Sequence, residues 1–462
     1  MQTSPVLAHI DADLPNAISR LQDLLRIRSI STDPAFKAEC LHAAEWLARD
    51  LGSFGITASV RPTPGHPMVV GHVAGPKGAP HVLFYGHYDV QPVDPLDLWQ
   101  SDPFDPAITE GPHGPTIQAR GASDDKGQLM SFVEATRAWQ AVHGALPCSI
   151  TFLFEGEEES SSPSLVPFLQ DNAAELQADL ALICDTGLFQ SKTPAIMTML
   201  RGMMPEELTI HGPSRDLHSG MYGGVAMNPI RVLSKILGNM HDDQGRITIP
   251  HFYDGVPDLP AQIAADWQAL NFDTATFLGD VGLSQPAGEA DRTALEMIWS
   301  RPTAEINGIW GGYTGAGFKT VLPAQAHAKV SFRLVGQQDP EAIRANFRAW
   351  VQAQLPKDCR AEFHLKGGAS GSLMATDHPI FAHTRDALGE EWGEPAAFVG
   401  CGGSIPIAGH FKDILGMDAL LTGFARDDDN IHSPNEKYDI ECFHKGIRSW
   451  ARLLGKLAQA QA

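Results

Sequence analysis

The chain has 462 residues, of which 43% are hydrophobic and 19% charged, and its formal net charge at pH 7 is −21. This length accommodates two or three domains, and the composition is that of an ordinary globular protein. The acidic balance argues against nucleic acid or an anionic membrane as a partner, because both bind basic surfaces. The sequence contains neither a long apolar run nor an amino-terminal basic stretch followed by an apolar one. We therefore expect no membrane span and no secretory signal, and we predict a cytoplasmic location.

The first part of the chain alternates between amphipathic helices and short apolar strands. Apolar residues at helical spacing predict the helices, and apolar runs of four to eight residues predict the strands. Such alternation is typical of an α/β domain with a mostly parallel central sheet flanked by helices. The predicted elements are helices at 14–28, 35–51 and 126–141, and strands at 67–73, 81–86, 149–154 and 179–184.

The pattern changes near residue 200 and returns after residue 370. The middle part predicts strands at 206–211, 326–335 and 360–366 and helices at 228–240 and 339–354, which suits a small α+β domain. The last part predicts a helix at 379–389, a strand at 417–424 and a helix at 440–459. We therefore predict one α/β domain formed by residues 1–199 and 371–462, interrupted by an inserted α+β domain at 200–370.

Four predicted strands are each followed directly by side chains that bind hard metal ions. In an open α/β sheet, ligands collect beyond the carboxyl ends of the strands, so one crevice could gather all four groups. A loop with the sequence RGASDDKG adds two aspartates between glycines, just before a helix. The candidate ligands are His87, Asp124, Asp125, Glu155, Glu157, Glu158, Glu159, Asp185 and His432.

These residue types predict a pair of divalent cations. Imidazole and carboxylate ligands suit zinc, manganese or cobalt. Two neutral histidines and three carboxylates leave a surplus of positive charge on two divalent ions, which lowers the pKa of a bridging water. Asp89 lies two residues after His87 and can accept its imidazole N–H, while one glutamate of GEEES can act as general base. A lone histidine after a strand is more often structural, a run of glutamates is usually a solvated loop or helix start, and DDKG is commonly an ordinary turn before a helix. The prediction therefore depends on their joint occurrence.

The motifs resemble the M20 metallopeptidase family, most closely its carnosinase and cytosolic non-specific dipeptidase branch. The similarity extends over nearly the whole chain and follows the order of motifs in the family. Several of the motifs are long and specific. They are YGHYDVQP, WQSDPFDP, RGASDDKG, FEGEEESSS, RDLHSGMYGG, KTVLP, SFRLV, GGSIPI and HSPNEKY.

The resemblance implies a role for each residue of the site. Asp124 would bridge the two metals, and the Asp124–Asp125 peptide would be cis. Glu158 would be the general base and Asp89 the partner that orients a histidine ligand. The run of three glutamates leaves a one-residue ambiguity, and we align the functional pair immediately before Ser160, as the family does. The implied ligands are His87 and Asp185 for one metal, Glu159 and His432 for the other, and Asp124 for both.

The resemblance also implies that the inserted domain is a lid through which two chains form a homodimer. His218 resembles a histidine that reaches the active site of the neighbouring subunit and stabilises the developing oxyanion. Arg333 resembles the residue that clamps the terminal carboxylate of the substrate. Thr320 and Ser404 resemble further substrate contacts, and the glycines Gly402 and Gly403 would let backbone N–H groups approach that carboxylate.

We therefore predict a dinuclear hydrolase that cleaves the amide bond of dipeptides or related small peptides with a free C-terminal carboxylate. Zinc is the favoured metal, and manganese or cobalt would also fit. One alternative is an N-acyl- or N-carbamoyl-amino-acid amidohydrolase, against which HYDVQP and the long insertion at 245–300 favour a dipeptidase. A second alternative is a metal-binding protein without catalysis. The intact Glu158 argues against it, because a degenerate member would lose the base first.

Overall fold

The computed structural model describes residues 1–365, 367–374, 376, 378–403 and 406–459. Its strands are β1 (Thr57–Arg61), β2 (Met68–Val73), β3 (His81–His87), β4 (Ala107–Gly111), β5 (Gly114–Gln118), β6 (Ser149–Glu155), β7 (Leu180–Ile183), β8 (Ala195–Leu200), β9 (Gly202–His211), β10 (Leu217–His218), β11 (Thr303–Gly311), β12 (Val321–Leu322), β13 (Gln325–Leu334), β14 (Arg360–Leu365), β15 (Ser372–Leu373), β16 (Ala397–Cys401), β17 (Ala419–Gly423) and β18 (Lys437–Asp439).

The helices include both long packing helices and short turns. They are α1 (Thr3–Leu25), α2 (Lys37–Ser53), α3 (Lys126–His143), α4 (Leu165–Asp171), α5 (Ala173–Leu176), α6 (Ser219–Tyr222), α7 (Pro229–Gly238), α8 (Ala261–Ala269), α9 (Thr274–Gly279), α10 (Ala294–Trp299), α11 (Pro340–Ala353), α12 (Pro379–Trp392), α13 (Pro406–Leu415) and α14 (Ile440–Gln459).

Each predicted helix and strand corresponds to an element of the structure, but the ends differ. The largest difference is in α1, which begins at Thr3 rather than at residue 14. The prediction began at residue 14, immediately before Pro15, and proline is most common in the first turn of a helix. In the structure Pro15 lies inside the helix, because Val6, Leu7 and Ile10 continue its buried face toward the amino terminus.

The described residues form two compact units. The first comprises Met1–Thr198, Met374–Val399 and His410–Ala462, and the second comprises Met199–Leu373 and Gly400–Gly409. The predicted boundaries at 200 and 370 lie close to these divisions. The segment Gly400–Gly409 differs from the prediction, because it groups with the second unit although the sequence pattern placed it in the first.

The first unit is built on a sheet whose central strands are parallel. The strand order is β1-β2-β6-β3-β7-β17-β8, with β6, β3, β7 and β17 parallel and the flanking pairs antiparallel. Every residue of β7 and of β17 is buried, as expected for parallel strands covered on both faces. The predicted α/β class with a parallel central sheet is therefore confirmed.

Aromatic side chains join this sheet to its helices. Phe84 in β3 stacks on Phe132 in α3 with ring centroids 3.8 Å apart, and Trp450 in α14 meets Phe132 edge-on at 5.2 Å. All three rings are fully buried. Large buried rings leave little free volume, so they hold the strands and the helices at fixed positions.

The second unit is an antiparallel sheet with helices on one face. Its strand order is β11-β13-β9-β14, and α7 and α11 pack against it. Alternate residues of β13 point into a core that includes Ala328, Val330 and Phe332. This arrangement leaves β11 as an edge strand.

Within the described part of the chain, no helix is long and apolar enough to cross a membrane. The cytoplasmic location stays a prediction.

Candidate metal centre

The parallel strands bring the predicted metal ligands of the first unit to one edge of the sheet. His87 is the last residue of β3 and pairs in register with Glu155, the last residue of β6. Asp185 follows the neighbouring strand β7, and His432 lies on the segment after β17. The carboxyl ends of adjacent parallel strands face the same side, so side chains that are distant in sequence converge there.

The first ligand group consists of His87, Asp124 and Asp185. The Nε2 atom of His87 lies 3.0 Å from Oδ1 of Asp124 and 3.9 Å from Oδ2 of Asp185. The three ligand atoms all lie within 4.8 Å of one another. His87 is fully buried, whereas both carboxylates are mostly covered but keep some exposure.

The second ligand group consists of Asp124, Glu159 and His432. The Nε2 atom of His432 lies 2.9 Å from Oδ2 of Asp124 and 3.4 Å from Oε2 of Glu159. Asp124 thus turns one oxygen toward each histidine, which is the geometry required of a bridging carboxylate. The predicted cis peptide between Asp124 and Asp125 is also present.

The electrostatics of the two groups fit divalent cations. Burial, together with the charge of Asp124, raises the pKa of Asp185 to about 7. Hydrogen bonds to Asp124 and Glu159 raise the pKa of His432 to about 10. The carboxylates of Asp124, Asp185 and Glu159 therefore attract positive charge to the two ligand groups. Two divalent cations would supply that charge while the imidazoles remain neutral, and imidazole and carboxylate are suitable ligands for them.

Asp89 lies beside His87, and it also contacts the glutamate run. The Nδ1 atom of His87 lies 3.1 Å from the backbone oxygen of Asp89 and 3.5 Å from its Oδ1 atom, so the carbonyl is the nearer acceptor. The carboxylate of Asp89 also accepts the backbone N–H groups of Glu158 and Glu159, at 3.2 and 3.0 Å. Because β3 ends at His87, the residues beyond it need not keep the side-chain alternation of a strand.

The three adjacent glutamates have different surroundings. Glu157 is buried, and its carboxylate accepts the backbone N–H groups of His66 and Ser164, each at 3.1 Å. Glu159 accepts a hydrogen bond from Gln91 at 2.7 Å and faces the second ligand group. Within the described residues, the Glu158 carboxylate forms no side-chain hydrogen bond. Burial raises its pKa, and the charge of His87 opposes this effect. This arrangement supports Glu158 as the base and Glu159 as the ligand.

One polar residue beside the ligands was missed by the sequence analysis. Gln91 donates to the Oε2 atom of Glu159. It lies inside the motif HYDVQP, and a polar residue within a motif has no periodic signal of its own, so only its place beside predicted ligands could have indicated this contact. Asp125, one of the candidate ligands, belongs to neither ligand group and accepts the backbone N–H of His87 at 3.1 Å.

In the second unit, His218 is exposed and its ring orientation is defined. The Nδ1 atom of His218 accepts the backbone N–H of Gly220 at 3.0 Å, so the neutral ring carries its proton on Nε2. The neighbouring Ser219 donates its N–H to the carbonyl oxygen of Thr320 at 3.0 Å. The motifs DLHSG and KTVLP are therefore adjacent, and His218 presents an N–H donor.

Arg333 lies in β13 and is half-buried, and its guanidinium has no hydrogen-bond or ion-pair partner among the described residues. Burial, together with the positive charge of Arg333, lowers the pKa of the nearby Arg201 to about 10. The guanidinium groups of Arg201 and Arg333 together form a positively charged site, and the unpaired group of Arg333 can bind an anion there.

The glycine loop that begins at Gly402 differs in detail from what the resemblance implies. The N–H of Gly403 already donates to the sulfur of Cys401 at 3.3 Å, and its carbonyl accepts the N–H of Arg201 at 3.1 Å. The predicted substrate contact of Gly403 is therefore not a free backbone N–H in this structure. Ser404 lies outside the described residues.

Comparison with known proteins identifies the family of this chain. Residues 83–456 match Peptidase family M20/M25/M40, and the chain belongs to that family. The sequence is 29% identical to the Cys-Gly metallodipeptidase dug1 of Schizosaccharomyces pombe, over 97% of each chain. It is 26% identical to the human Beta-Ala-His dipeptidase, over 98% of this chain and 92% of the relative. The solved structure of the dipeptidase Dug1p of Saccharomyces cerevisiae superposes with a TM-score of 0.79, at 28% identity, over 99% of both chains.

The predicted family, its dipeptidase branch and the metallopeptidase class are therefore confirmed. The individual roles of the ligands stay predictions, and the two groups that share Asp124 support them.

We expect wild-type protein, reconstituted with zinc, to bind two ions per chain. His432→Ala should bind one ion, because it removes a ligand of the second group only. Asp124→Ala should weaken the binding of both ions, because it removes the shared carboxylate. Elemental analysis after gel filtration would measure the ratio. His42→Ala is the matched control, since the exposed fractions of His42 and His432 are 53% and 52%. Equal metal content in His432→Ala and His42→Ala would contradict the assignment.

Proposed function

We propose that this protein is a dinuclear zinc dipeptidase that hydrolyses the amide bond of dipeptides with a free C-terminal carboxylate. The observation that carries the proposal is the unbonded carboxylate of Glu158 beside two ligand groups that share Asp124. The dipeptidase names of the full-length relatives support the reaction class. They also make an N-acyl- or N-carbamoyl-amino-acid substrate the less favoured alternative. Zinc suits the mixed imidazole and carboxylate ligands and binds such sites more tightly than manganese.

The residues of the chain divide the reaction between them. When bound, the two ions supply Lewis acidity and a water of lowered pKa. Glu158 takes the proton of the attacking water and passes it to the leaving amine. The N–H of His218 donates to the oxygen on which negative charge develops. The carboxylate of Asp89 accepts the backbone N–H groups of Glu158 and Glu159, so Asp89 positions the base and the neighbouring metal ligand.

The charge near Arg333 defines the expected end of the substrate. An unpaired, half-buried guanidinium can bind a carboxylate with two parallel hydrogen bonds, and the positive charge of Arg201 increases the preference for an anion. We infer that Arg333 binds the C-terminal carboxylate of the dipeptide, with Thr320, Gly403 and Ser404 as further contacts. A neutral C-terminal amide would not gain this interaction.

A substrate comparison tests the proposed function. Dipeptides, the same dipeptides with amidated C-termini, and N-acetyl and N-carbamoyl amino acids would be assayed with added zinc or manganese. We expect hydrolysis of the free dipeptides and at least about tenfold lower kcat/KM for the amides, since a charged hydrogen-bonded pair contributes about 1.5–3 kcal/mol. Turnover of N-acetyl or N-carbamoyl amino acids alone would contradict the dipeptidase assignment.

Glu158→Gln should retain both metals and lose turnover, because the amide keeps the shape of the side chain but cannot accept the proton. We expect kcat to fall by about 10²–10⁴-fold or more. Glu157→Gln is the matched control on the adjacent residue. It disturbs the buried hydrogen bonds to His66 and Ser164, so it should lower the melting temperature while much of the activity is retained. The opposite ranking of the two activities would assign the base to Glu157.

We also propose that two chains form a dimer through the second unit. The edge strand β11 exposes three large apolar side chains, Ile306, Ile309 and Trp310. In the same unit Val225 is 88% and Phe318 99% exposed, which is unusual for large apolar residues in a monomer. An edge strand with exposed apolar residues is a favourable pairing surface, and a two-fold axis lets both copies use the same surface.

In such a dimer, His218 would complete the site of the partner subunit, and co-expression of two inactive variants tests this. In a heterodimer of Glu158→Gln and His218→Ala, one site would receive both defects and the other neither. Random pairing makes half of the dimers mixed, so activity should recover to roughly a quarter of wild type. Each variant expressed alone is the control. If purified heterodimers remain inactive, His218 does not act across the interface.

A further inference from the structure

Glu436 is a fully buried carboxylate that lies four residues after the predicted ligand His432. Its Oε1 atom accepts the backbone N–H groups of Ser123 and Asp124, at 3.0 and 3.1 Å. Its Oε2 atom accepts a hydrogen bond from Arg120 at 2.7 Å and the backbone N–H of Gly121 at 2.9 Å. Four donors from one loop therefore converge on a single carboxylate.

One of these donors is the peptide N–H of Asp124, the residue shared by the two ligand groups. The two carboxylate oxygens of Asp124 face His87 and His432, so the backbone position of Asp124 sets both distances. Glu436 fixes that backbone directly. Among the described residues, the Glu436 side chain forms no hydrogen bond or ion pair with either histidine.

Glu436 also joins this loop to the segment that carries His432. The backbone carbonyl of Glu436 accepts the N–H of Ala119 at 3.0 Å. The next residue begins β18, which pairs with β5 immediately before the loop. Side chain, carbonyl and strand pairing thus hold the two segments together at three places.

A buried ion pair can also be purely structural, and the first unit contains such a pair for comparison. Arg137 donates to both carboxylate oxygens of Asp50, at 2.7 and 2.6 Å, and both side chains are mostly buried. Within the part of the chain that the structure describes, Asp50 bonds to no loop that carries a predicted metal ligand. Loss of this pair should therefore affect folding without affecting the metals.

We propose that Glu436 is a positioning residue for both metal ions, because it fixes the backbone of the Asp124 bridge and ties it to the His432 segment. This inference rests on the proposed dinuclear function. Outer residues that orient metal ligands typically change metal affinity by about 10–100-fold when replaced. Since both ligand groups share Asp124, replacement of Glu436 should weaken the binding of both ions rather than of one.

The test compares Glu436→Gln, Glu436→Asp and Asp50→Asn with wild type. Glutamine has one acceptor oxygen, so its NH₂ group must face two of the four donors. Aspartate keeps the negative charge beside Arg120 but is too short to reach all of the amides, which makes it the variant more apt to fold. Zinc affinity would be measured by competition with a chelator, and the ligand geometry by the visible absorption spectrum of the cobalt-substituted protein.

We expect both Glu436 variants to bind each ion about 10–100-fold more weakly and to show an altered cobalt spectrum. Asp50→Asn should have a lower melting temperature with wild-type zinc affinity and spectrum. If the Glu436 variants have a lower melting temperature but keep the wild-type zinc affinity and cobalt spectrum, Glu436 is only a structural residue. If wild-type protein itself binds no metal, the proposed function fails together with this inference.

Discussion

The carboxylate of Asp124 must interact with two imidazoles at once, and the arrangement around it follows from that requirement. Each of its oxygens lies about one hydrogen-bond length from a different histidine, at 3.0 and 2.9 Å. Although burial raises the pKa of Asp124, its hydrogen bonds to His432 and His87 lower it more, so the group stays ionised. A shared carboxylate can serve two cations only if its backbone cannot move toward one of them. The backbone N–H of Asp124 is accordingly held by the fully buried carboxylate of Glu436.

The parallel sheet supplies the rest of that rigidity. Its central strands end at the same edge, and β3 and β6 are in register up to their last residues. The stacked rings of Phe84 and Phe132 hold β3 against α3, the helix that begins directly after the Asp124 loop. A shift of either strand would separate ligands that belong to one cation. The large buried core of the first unit therefore fixes the distances between the ligands in addition to stabilising the fold.

Much of this could be predicted from the sequence, for identifiable reasons. Apolar runs such as 149–154 and 179–184 predict buried strands, and a metal ligand directly after a strand lies at the edge of the sheet by geometry alone. The role of Asp89 was harder to predict, because the choice between its carbonyl and its carboxylate depends on how the chain turns after β3. The same limit applies to Gly403, whose N–H is used by Cys401. Contacts made by turns depend on backbone angles that residue types do not determine.

The glutamate run shows how structure can separate residues that sequence leaves equivalent. Glu157, Glu158 and Glu159 are chemically identical and adjacent, yet one binds two backbone amides and one accepts a side-chain amide. The remaining one, Glu158, has no such partner among the described residues, and burial raises its pKa. A general base needs both properties, since a carboxylate already committed to strong donors is a poor proton acceptor. The function of this segment therefore depends as much on the hydrogen bonds that occupy Glu157 and Glu159 as on the freedom of Glu158.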